Sequence, residues 1–264
     1  MPIRKLTYFC KNNFTQRNMN NTLKTVVDGF CLENDKDRQR LGTNLDKSLQ
    51  FVALPSAPKE FEKVAKAILN GHFCVESSGK EINIYPVCVE IYYHEEQDGG
   101  VKDPIVYHRN RKKKSGDDNP PIFTTKGVLH NHVSGIDITF ESEAKSKNKY
   151  VTGIVRASAL IREFMVKDKD GNIIKAVKNG KEVDTDDRST YLYQALFGQF
   201  SIFDGGFTVK WIDGKKKDFD EMKLKSRPRK NVMEYEYESD KSDYRKKGEQ
   251  CKRAWRFAIA DTNI

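Results

Sequence analysis

Polar and aromatic side chains interrupt several apolar, strand-like segments in the middle of this sequence. In VCVEIYYH, Glu90 follows alternating valines, and Tyr92 shares its face because the side chains of a strand alternate. A carboxylate in so apolar a strand costs free energy unless it is paired, takes part in chemistry, or faces solvent on an edge strand. Further insertions follow in the next strand-like segments: His108, His132, Asp137 and Arg156. Their succession predicts a polar pocket in a β-rich body.

The segment LHNHV places His130 and His132 on one face of a predicted strand. They could be transition-metal ligands, with His94 or His108 and Asp137 completing the set. They could also form the wall of a pocket. The letters HNH name a nuclease motif, but that motif spaces its residues well apart, so the match is a coincidence of letters.

Positive charge is in excess and is clustered. The chain has 47 Lys and Arg against 38 Asp and Glu, a formal net charge of +9. The runs RNRKKK (residues 109–114) and KLKSRPRK (residues 223–230) border the segments that form the predicted pocket. Such runs are often solvated loops, but this position favours a polyanionic partner, nucleic acid. The predicted contacts to a phosphate backbone are Arg109, Lys112, Lys113, Arg227, Arg229 and Lys230.

Strands predominate among the elements that must position these residues. SAPKEFEKVAKAILNG predicts a helix that Ser56 caps and that Asn70-Gly71 ends. EINIYPVCVEIYY, GIDITF, YVTGIVRASALI, FTVKWI and KRAWRFAIA predict strands, and TYLYQALFGQF predicts a short helix. KDKDGN and KNGKE predict hairpin turns. The expected fold class is α+β, a single compact domain with a curved, mostly antiparallel β body and peripheral helices.

Composition bounds the class of protein. No apolar run approaches the roughly 20 residues of a membrane span, and no secretory signal is visible. The five cysteines include no C-x-x-C pair, which argues against a zinc ribbon or a disulfide framework. We therefore expect a cytoplasmic protein, associated with the nucleoid if the source is bacterial. Residues 1–55 lack clear periodicity and are expected to be an N-terminal extension with no assigned role, before a domain at 56–264.

The order of the motifs resembles the 3-methyladenine (alkyladenine) DNA glycosylase family. VAKAILNGHFCV is similar to its A-x-x-L-L-G-x-x-L-V entry, VEIYY to its E-T-E-A-Y strand, and VYHRN to its A-S-H and R-N segment. FTTKGVLHNHVSG resembles M-F-x-x-P-G-x-x-Y-V-Y-x-x-Y-G, and GIVRAS resembles V-L-I-R-A. YLYQALFG, SRPRKNV and AWRFAI resemble L-C-Q-A-L-G, S-P-R-I-G-I and W-R-F. These eight matches run in the family's order from Val64 to Ile259.

The resemblance implies a function and a set of roles. The family flips an alkylated base, mainly a purine, out of double-stranded DNA and begins base excision repair by hydrolysing its N-glycosidic bond. Glu90 corresponds to the catalytic base, with Arg156 beside it to orient the carboxylate or the water. Tyr92 stacks on the flipped base, with His108 or His132 opposite. No lysine is placed as a Schiff-base nucleophile, so the expectation is a monofunctional, monomeric enzyme without cofactor or metal.

The sequence departs from the family at the pocket. His130 and His132 stand where the family has tyrosines, and Ser134 stands near its intercalating tyrosine. The pocket-floor asparagine of the family corresponds to Asp137 or Glu141, of which Asp137 is preferred because it alternates with isoleucines. The resemblance makes His132 a pocket wall rather than a metal ligand. Two other classes stay open: a non-catalytic module that recognises a modified base, and a His-dependent metallonuclease.

Overall fold

The structure of the protein is a computed structural model. It describes residues 22–30, 57–95, 101, 103, 105–106, 111–113, 116–118, 126–140, 142–145, 152–198, 200–201, 203, 205–238, 243–251 and 253–260. Three predicted site residues, His108, Arg109 and Glu141, lie outside the described residues, as does most of the N-terminal extension.

The described elements are four α-helices, a 3-10 helix and sixteen strands. The helices are α1 (Thr22–Asp28), α2 (Lys59–Leu69), α3 (Leu192–Phe197) and α4 (Lys216–Glu221), and the 3-10 helix is Ser189–Tyr191. The strands are β1 (Gly71–Ser77), β2 (Lys80–Glu95), β3 (Arg111–Lys113), β4 (Gly116–Asp118), β5 (Leu129–His132), β6 (Gly135–Thr139), β7 (Ser142–Lys145), β8 (Thr152–Asp168), β9 (Ile173–Ile174), β10 (Ala176–Lys178), β11 (Lys181–Val183), β12 (Thr208–Asp213), β13 (Leu224–Arg227), β14 (Met233–Glu238), β15 (Asp243–Gln250) and β16 (Arg256–Ile259). None of the described helices is both long and apolar enough to pass through a membrane.

Ten of the described strands form one antiparallel sheet. Its main order is β12-β1-β2-β8-β6-β5, and β7, β9, β13 and β16 pair along its sides. The first half of β2 pairs with β1, whereas its second half pairs with β16. The sheet curls into a half-barrel with a few helices around it. The predicted α+β class, with a curved and mostly antiparallel β body, is confirmed.

The longest strands, β2 and β8, pair with each other at the centre of the sheet. They have 16 and 17 residues, and their β-branched and aromatic side chains favour the extended conformation. Pro86 has no N–H for the ladder, and the register shifts between it and Cys88. After this irregularity, Glu90 lies opposite Leu160. The bulge therefore helps to set which residues meet at the candidate site.

The two faces of the central sheet differ in polarity because successive side chains alternate. One face is apolar and packs against α2, whose buried side chains include Phe61, Val64 and Ile68. The other face carries polar residues that are also buried: Glu90, Asp137, Thr139, Arg156 and Ser158. Glu90 is 0% exposed, so the alternative that it faces solvent on an edge strand is wrong. Groups buried in this way need internal partners.

The short helix α1 belongs to the N-terminal extension. Leu23, Val27 and Phe30 join the apolar core, and Phe30 packs edge-on against Phe140 with ring centroids 4.7 Å apart. Nζ of Lys126 donates hydrogen bonds to carbonyl oxygens at the end of α1. This part of the extension therefore packs on the domain.

Several predicted boundaries agree with the structure. The helix predicted after Ser56 is α2, which begins at Lys59 directly after Pro58. Ser56 itself lies outside the described residues. The turn KNGKE is the loop Asn179-Gly180 between β10 and β11, with φ of 51° and 75°. Positive φ at both positions is what a tight hairpin turn requires.

Candidate functional site

Glu90 lies in the buried polar face, between β8 and β16. Its Oε1 accepts a hydrogen bond from the backbone N–H of Lys230 at 2.6 Å, and its Oε2 accepts one from the hydroxyl of Tyr92 at 3.0 Å. Nε of Arg162 lies 3.8 Å from Oε1. The carboxylate thus has two donors and one nearby cation, the kind of pairing that a buried charge requires. A carboxylate offers about four acceptor sites, so these two bonds do not exhaust its capacity to bind a water molecule.

The sequence predicted Arg156 beside Glu90, but the structure places Arg162 there. Glu90 lies opposite Leu160 in the antiparallel ladder, and Arg156 lies opposite His94. Four residues along a strand correspond to about 13 Å, which is how far the backbone of Arg156 lies from the position opposite Glu90. Arg156 is buried farther along the same face. The prediction that it adjoins Glu90 is therefore wrong in register, and Arg162 occupies that position.

Tyr92 connects the carboxylate to a second cation. Its hydroxyl donates to Glu90, and the guanidinium carbon of Arg229 lies 4.8 Å from its ring centroid, within the range of a cation–π contact. Burial, and then the negative charge of Glu90, raise the pKa of Tyr92 well above its usual value. The hydroxyl therefore stays protonated and donates at neutral pH. Stacking of this ring on a base stays a prediction, and Arg229 already covers one of its faces.

Arg229 is an interior residue and does not contact a DNA backbone as the sequence predicted. It is 3% exposed, and its Nη1 and Nη2 donate to Oδ2 and Oδ1 of Asp103 at 2.6 and 3.1 Å. Burial alone would raise the pKa of Asp103, but the charge and hydrogen bonds of Arg229 outweigh it and lower that pKa. A guanidinium enclosed in this bidentate pair cannot reach a phosphate group in solution. The contact with DNA was predicted because the neighbours of Arg229 in the run SRPRK are also basic.

A second polar group is centred on Asp137 in β6. Its Oδ2 accepts a hydrogen bond from Oγ of Ser158 at 2.8 Å, and its Oδ1 lies 3.1 Å from Nε2 of His132. Nδ1 of His132 accepts from the backbone N–H of Ser134 at 3.2 Å, so Nε2 is the ring nitrogen that faces Asp137. His130 lies directly opposite Asp137 in the ladder of β5 and β6. The structure thus brings together the three predicted pocket residues of this hairpin.

The hairpin of β5 and β6 is fixed against the rest of the site through Ser189. Oγ of Ser189 donates to the carbonyl oxygen of Ser134 at 2.6 Å, and Nη1 of Arg162 donates to Oγ of Ser189 at 3.3 Å. Gly135 has a φ of +137°, and a Cβ at this position would lie 3.0 Å from Cβ of Ser189, so this close approach requires glycine. Val133, in the same turn, is 81% exposed. The tip of the hairpin therefore presents an apolar side chain to solvent.

A basic cavity of about 350 Å³ adjoins Glu90. Arg162 and Lys230, which both contact Glu90, also line this cavity. Its charged lining consists of six cations and two carboxylates: Arg162, Lys178, Lys225, Arg227, Lys230, Arg256, Glu163 and Asp187. Arg227 and Arg256 lie directly opposite each other in the ladder of β13 and β16, and like charges in that position repel. The cavity therefore favours an anionic ligand.

The other predicted backbone contacts divide between the cavity and a separate hairpin. Arg227 and Lys230 line the cavity, whereas Lys112 and Lys113 belong to β3, which pairs with β4 in its own two-stranded ladder. Sequence reasoning missed Arg162 and Arg256. A signal for Arg162 was present, because it lies an even number of residues after Arg156 and so shares its face of the strand.

The described geometry defines a class of site. A buried, paired carboxylate lies beside a cationic cavity, and a histidine–aspartate group lies on the same face of the sheet. Such a site suits general-base chemistry on a polyanionic substrate. Searches against protein-family models, curated proteins and solved structures found no match to this chain.

Proposed function

We propose that the protein is a monofunctional DNA glycosylase, which flips a modified or damaged base out of double-stranded DNA and hydrolyses its N-glycosidic bond. The observation that carries this proposal is the position of Glu90. Its carboxylate is fully buried and hydrogen-bonded by Tyr92 and by the backbone of Lys230, next to a cavity lined with cations. The motif order that resembles the 3-methyladenine DNA glycosylases supports the same reaction.

Glu90 has two tasks in the proposed reaction. Departure of the base builds positive charge on the sugar, which the negative carboxylate stabilises. The attacking water then bonds to the anomeric carbon and transfers a proton to Glu90, general-base catalysis that contributes about 10²–10⁴-fold. Arg162 is the positioning residue, since its guanidinium lies 3.8 Å from Oε1 and can hold the carboxylate in orientation.

The extruded base needs flat and polar surfaces around it. Tyr92 and His132 supply rings on the polar face, and Asp137 and His130 supply hydrogen-bonding groups. Stacking of a base on an aromatic ring contributes roughly 1–3 kcal/mol. The exposed Val133 at the hairpin tip has the character of an apolar wedge that fills the space left in the stack.

The cationic cavity supplies the contact with DNA. Lys225, Arg227 and Arg256 line this cavity together with Arg162 and Lys230, the two residues that contact Glu90. A phosphate bound there would bring the sugar of a nearby nucleotide towards the carboxylate. This contact is electrostatic and independent of sequence. A single chain carries all of these groups, so we propose action as a monomer in the compartment that holds the DNA, the cytoplasm or bacterial nucleoid.

Duplexes that each carry one modified base test the proposal. Protein is incubated with the panel, and alkali then cleaves any abasic site, which reports base release. We expect the wild type to release the base from at least one duplex. The strand should break only after alkali is added, because the proposed enzyme does not cleave the strand itself. Tight binding to a modified duplex without release of any base would instead indicate a non-catalytic module that recognises the base.

A further inference from the structure

We propose that His130, His132 and Asp137 form a binding site for one divalent transition-metal ion such as Zn²⁺. One potential ligand atom from each residue lies within 4.8 Å of the other two. Nε2 of His132 and Oδ1 of Asp137 are 3.1 Å apart, close to the separation of about 3.4 Å that two ligands have around a tetrahedral zinc ion. Two imidazoles and a carboxylate are a ligand set that zinc and iron sites use.

The local fold holds this set in place without a ligand. His130 and His132 alternate on β5 and therefore share a face, and the register places Asp137 directly opposite His130. The hairpin is short, and Ser189 fixes its turn through the carbonyl oxygen of Ser134. Small side-chain adjustments are therefore enough to bring the three ligand atoms around one ion.

Asp137 has the orientation of a metal ligand with a supporting partner. Ser158 occupies its Oδ2 with a hydrogen bond at 2.8 Å, which leaves Oδ1 directed towards His132. Asp137 is buried, with an exposed fraction of 3%. Its Oδ1 nevertheless accepts no well-directed hydrogen bond from the residues that the structure describes. Buried carboxylate oxygens normally have such a donor. A cation between Oδ1 and the imidazole would supply the missing interaction, and Ser158 would then be an outer-shell partner.

The hydrogen bond at Nδ1 of His132 identifies the ring nitrogen that would bind the ion. The backbone N–H of Ser134 donates to Nδ1, so Nε2 is the nitrogen that faces Oδ1 of Asp137 at 3.1 Å. A metal ion would therefore bind His132 through Nε2 and Asp137 through Oδ1.

Three protein ligands leave at least one coordination position open, as in catalytic rather than structural zinc sites. Asp137 and Glu90 both lie opposite Leu160, on the two sides of β8, so their backbones are about 10 Å apart across the sheet. The ion would thus lie on the face of the sheet that carries Glu90, and an open coordination position could take a water molecule or a nitrogen or oxygen atom of a substrate. In a metal-bound protein these three side chains would hold the ion instead of contacting an extruded base directly. Metal binding itself does not depend on glycosylase activity.

Metal binding to the full-length protein without a histidine tag tests this site. After treatment with chelator, the protein is titrated with Zn²⁺ by calorimetry and with Co²⁺ by visible absorption. We expect one equivalent bound, with the d–d bands of a nitrogen- and oxygen-coordinated ion. Asp137→Asn and His130→Gln should each abolish these bands, whereas Ser158→Ala should keep them and weaken affinity by roughly 10–100-fold.

Two variants control for binding elsewhere. Cys74 belongs to a second group of potential ligands with Glu76 and Glu81, and His72 stacks on Tyr85 in another part of the sheet. Cys74→Ser and His72→Ala should therefore bind metal as the wild type does. Thermal unfolding verifies that each variant is folded. Absence of stoichiometric binding by the wild type, or wild-type binding by a folded Asp137→Asn variant, would overturn the proposal.

Discussion

The backbone N–H of Lys230 donates a hydrogen bond to Oε1 of Glu90 at 2.6 Å, across 140 residues of sequence. This contact joins the second basic run to the second half of β2. The sequence shows the isolated carboxylate and the positively charged run as separate features, and the fold brings them together. In the proposed reaction, general-base chemistry and phosphate binding would therefore take place side by side.

Arg229 should contribute to folding stability rather than to DNA affinity. Arg229→Met removes the guanidinium and leaves the buried Asp103 carboxylate without its bidentate partner. Loss of one partner from a buried ion pair destabilises a protein by roughly 3–5 kcal/mol, which urea unfolding would measure. The double variant with Asp103→Asn should recover part of this loss. If Arg229→Met left the free energy of unfolding unchanged and weakened DNA binding, Arg229 would instead be a surface residue that contacts DNA.

The same ion pair predicts a pH dependence of stability. Arg229 lowers the pKa of Asp103 in the folded state, so the folded protein holds this carboxylate ionised more strongly than the unfolded chain does. The resulting stabilisation is present above the unfolded-state pKa of about 3.9 and is lost as the pH falls through the lower folded-state pKa. Unfolding free energies across acidic pH should therefore show a steeper loss for the wild type than for Asp103→Asn. Parallel curves for the two proteins would contradict this account.

DNA binding should depend on salt through the cavity. Each lost phosphate contact lowers the slope of log affinity against log salt by about 0.9, so Lys225→Ala and Arg227→Ala should each flatten it by that amount. Base release from bound DNA should change little. Lys217→Ala is the matched control because this lysine lies on α4 in an exposed pair with Glu221. Equal slopes for wild type, Arg227→Ala and Lys217→Ala would exclude the cavity as the phosphate site.

Local patterns predicted much of the fold and the composition of the polar face. Alternation in VEIYY and GIDITF indicated correctly that Glu90 and Tyr92 share a face and that Asp137 alternates with apolar neighbours. These inferences needed only the period of a strand. Glu90 and Tyr92 do contact each other, and Asp137 lies beside His130 and His132, whereas Arg156 lies farther along the same face.

Pairing between distant strands was not predictable from those patterns. A register depends on bulges and on both strands together, so the sequence could not show that Arg162 rather than Arg156 adjoins Glu90. Arg229 shows the same limit, since its burial depends on Asp103, a partner 126 residues away. A local run of positive charge contains no information on such a partner.

Arg162 should affect catalysis through Glu90 rather than through binding. Arg162→Gln removes the cation beside the carboxylate, and a small misplacement of a reacting group can lower the rate by up to about 10²-fold. We expect the variant to have a lower kcat for base release and a nearly unchanged KM. Arg162→Lys, which keeps a positive charge, should recover part of the rate. A loss confined to KM would assign Arg162 to phosphate binding instead.

Glu90→Gln should abolish most base release and leave the protein folded. The amide oxygen can still accept from the backbone of Lys230, and the amide nitrogen can donate to the hydroxyl of Tyr92. The change removes the negative charge and the proton acceptor, so we expect release to fall by at least about 10²-fold, with DNA affinity within a few-fold of wild type.

Glu95 provides a matched control for this variant. It is also buried in β2 and also accepts from a tyrosine two residues away, Tyr93, and from a backbone N–H, that of Val101. Glu95→Gln therefore makes the same chemical change in a similar setting and should retain base release. If a folded Glu90→Gln released base at the wild-type rate, Glu90 would not be the base, and Asp137→Asn would then test the other carboxylate of the polar face. If both glutamate variants lost activity and unfolded at lower urea concentrations alike, the effect at position 90 would be structural.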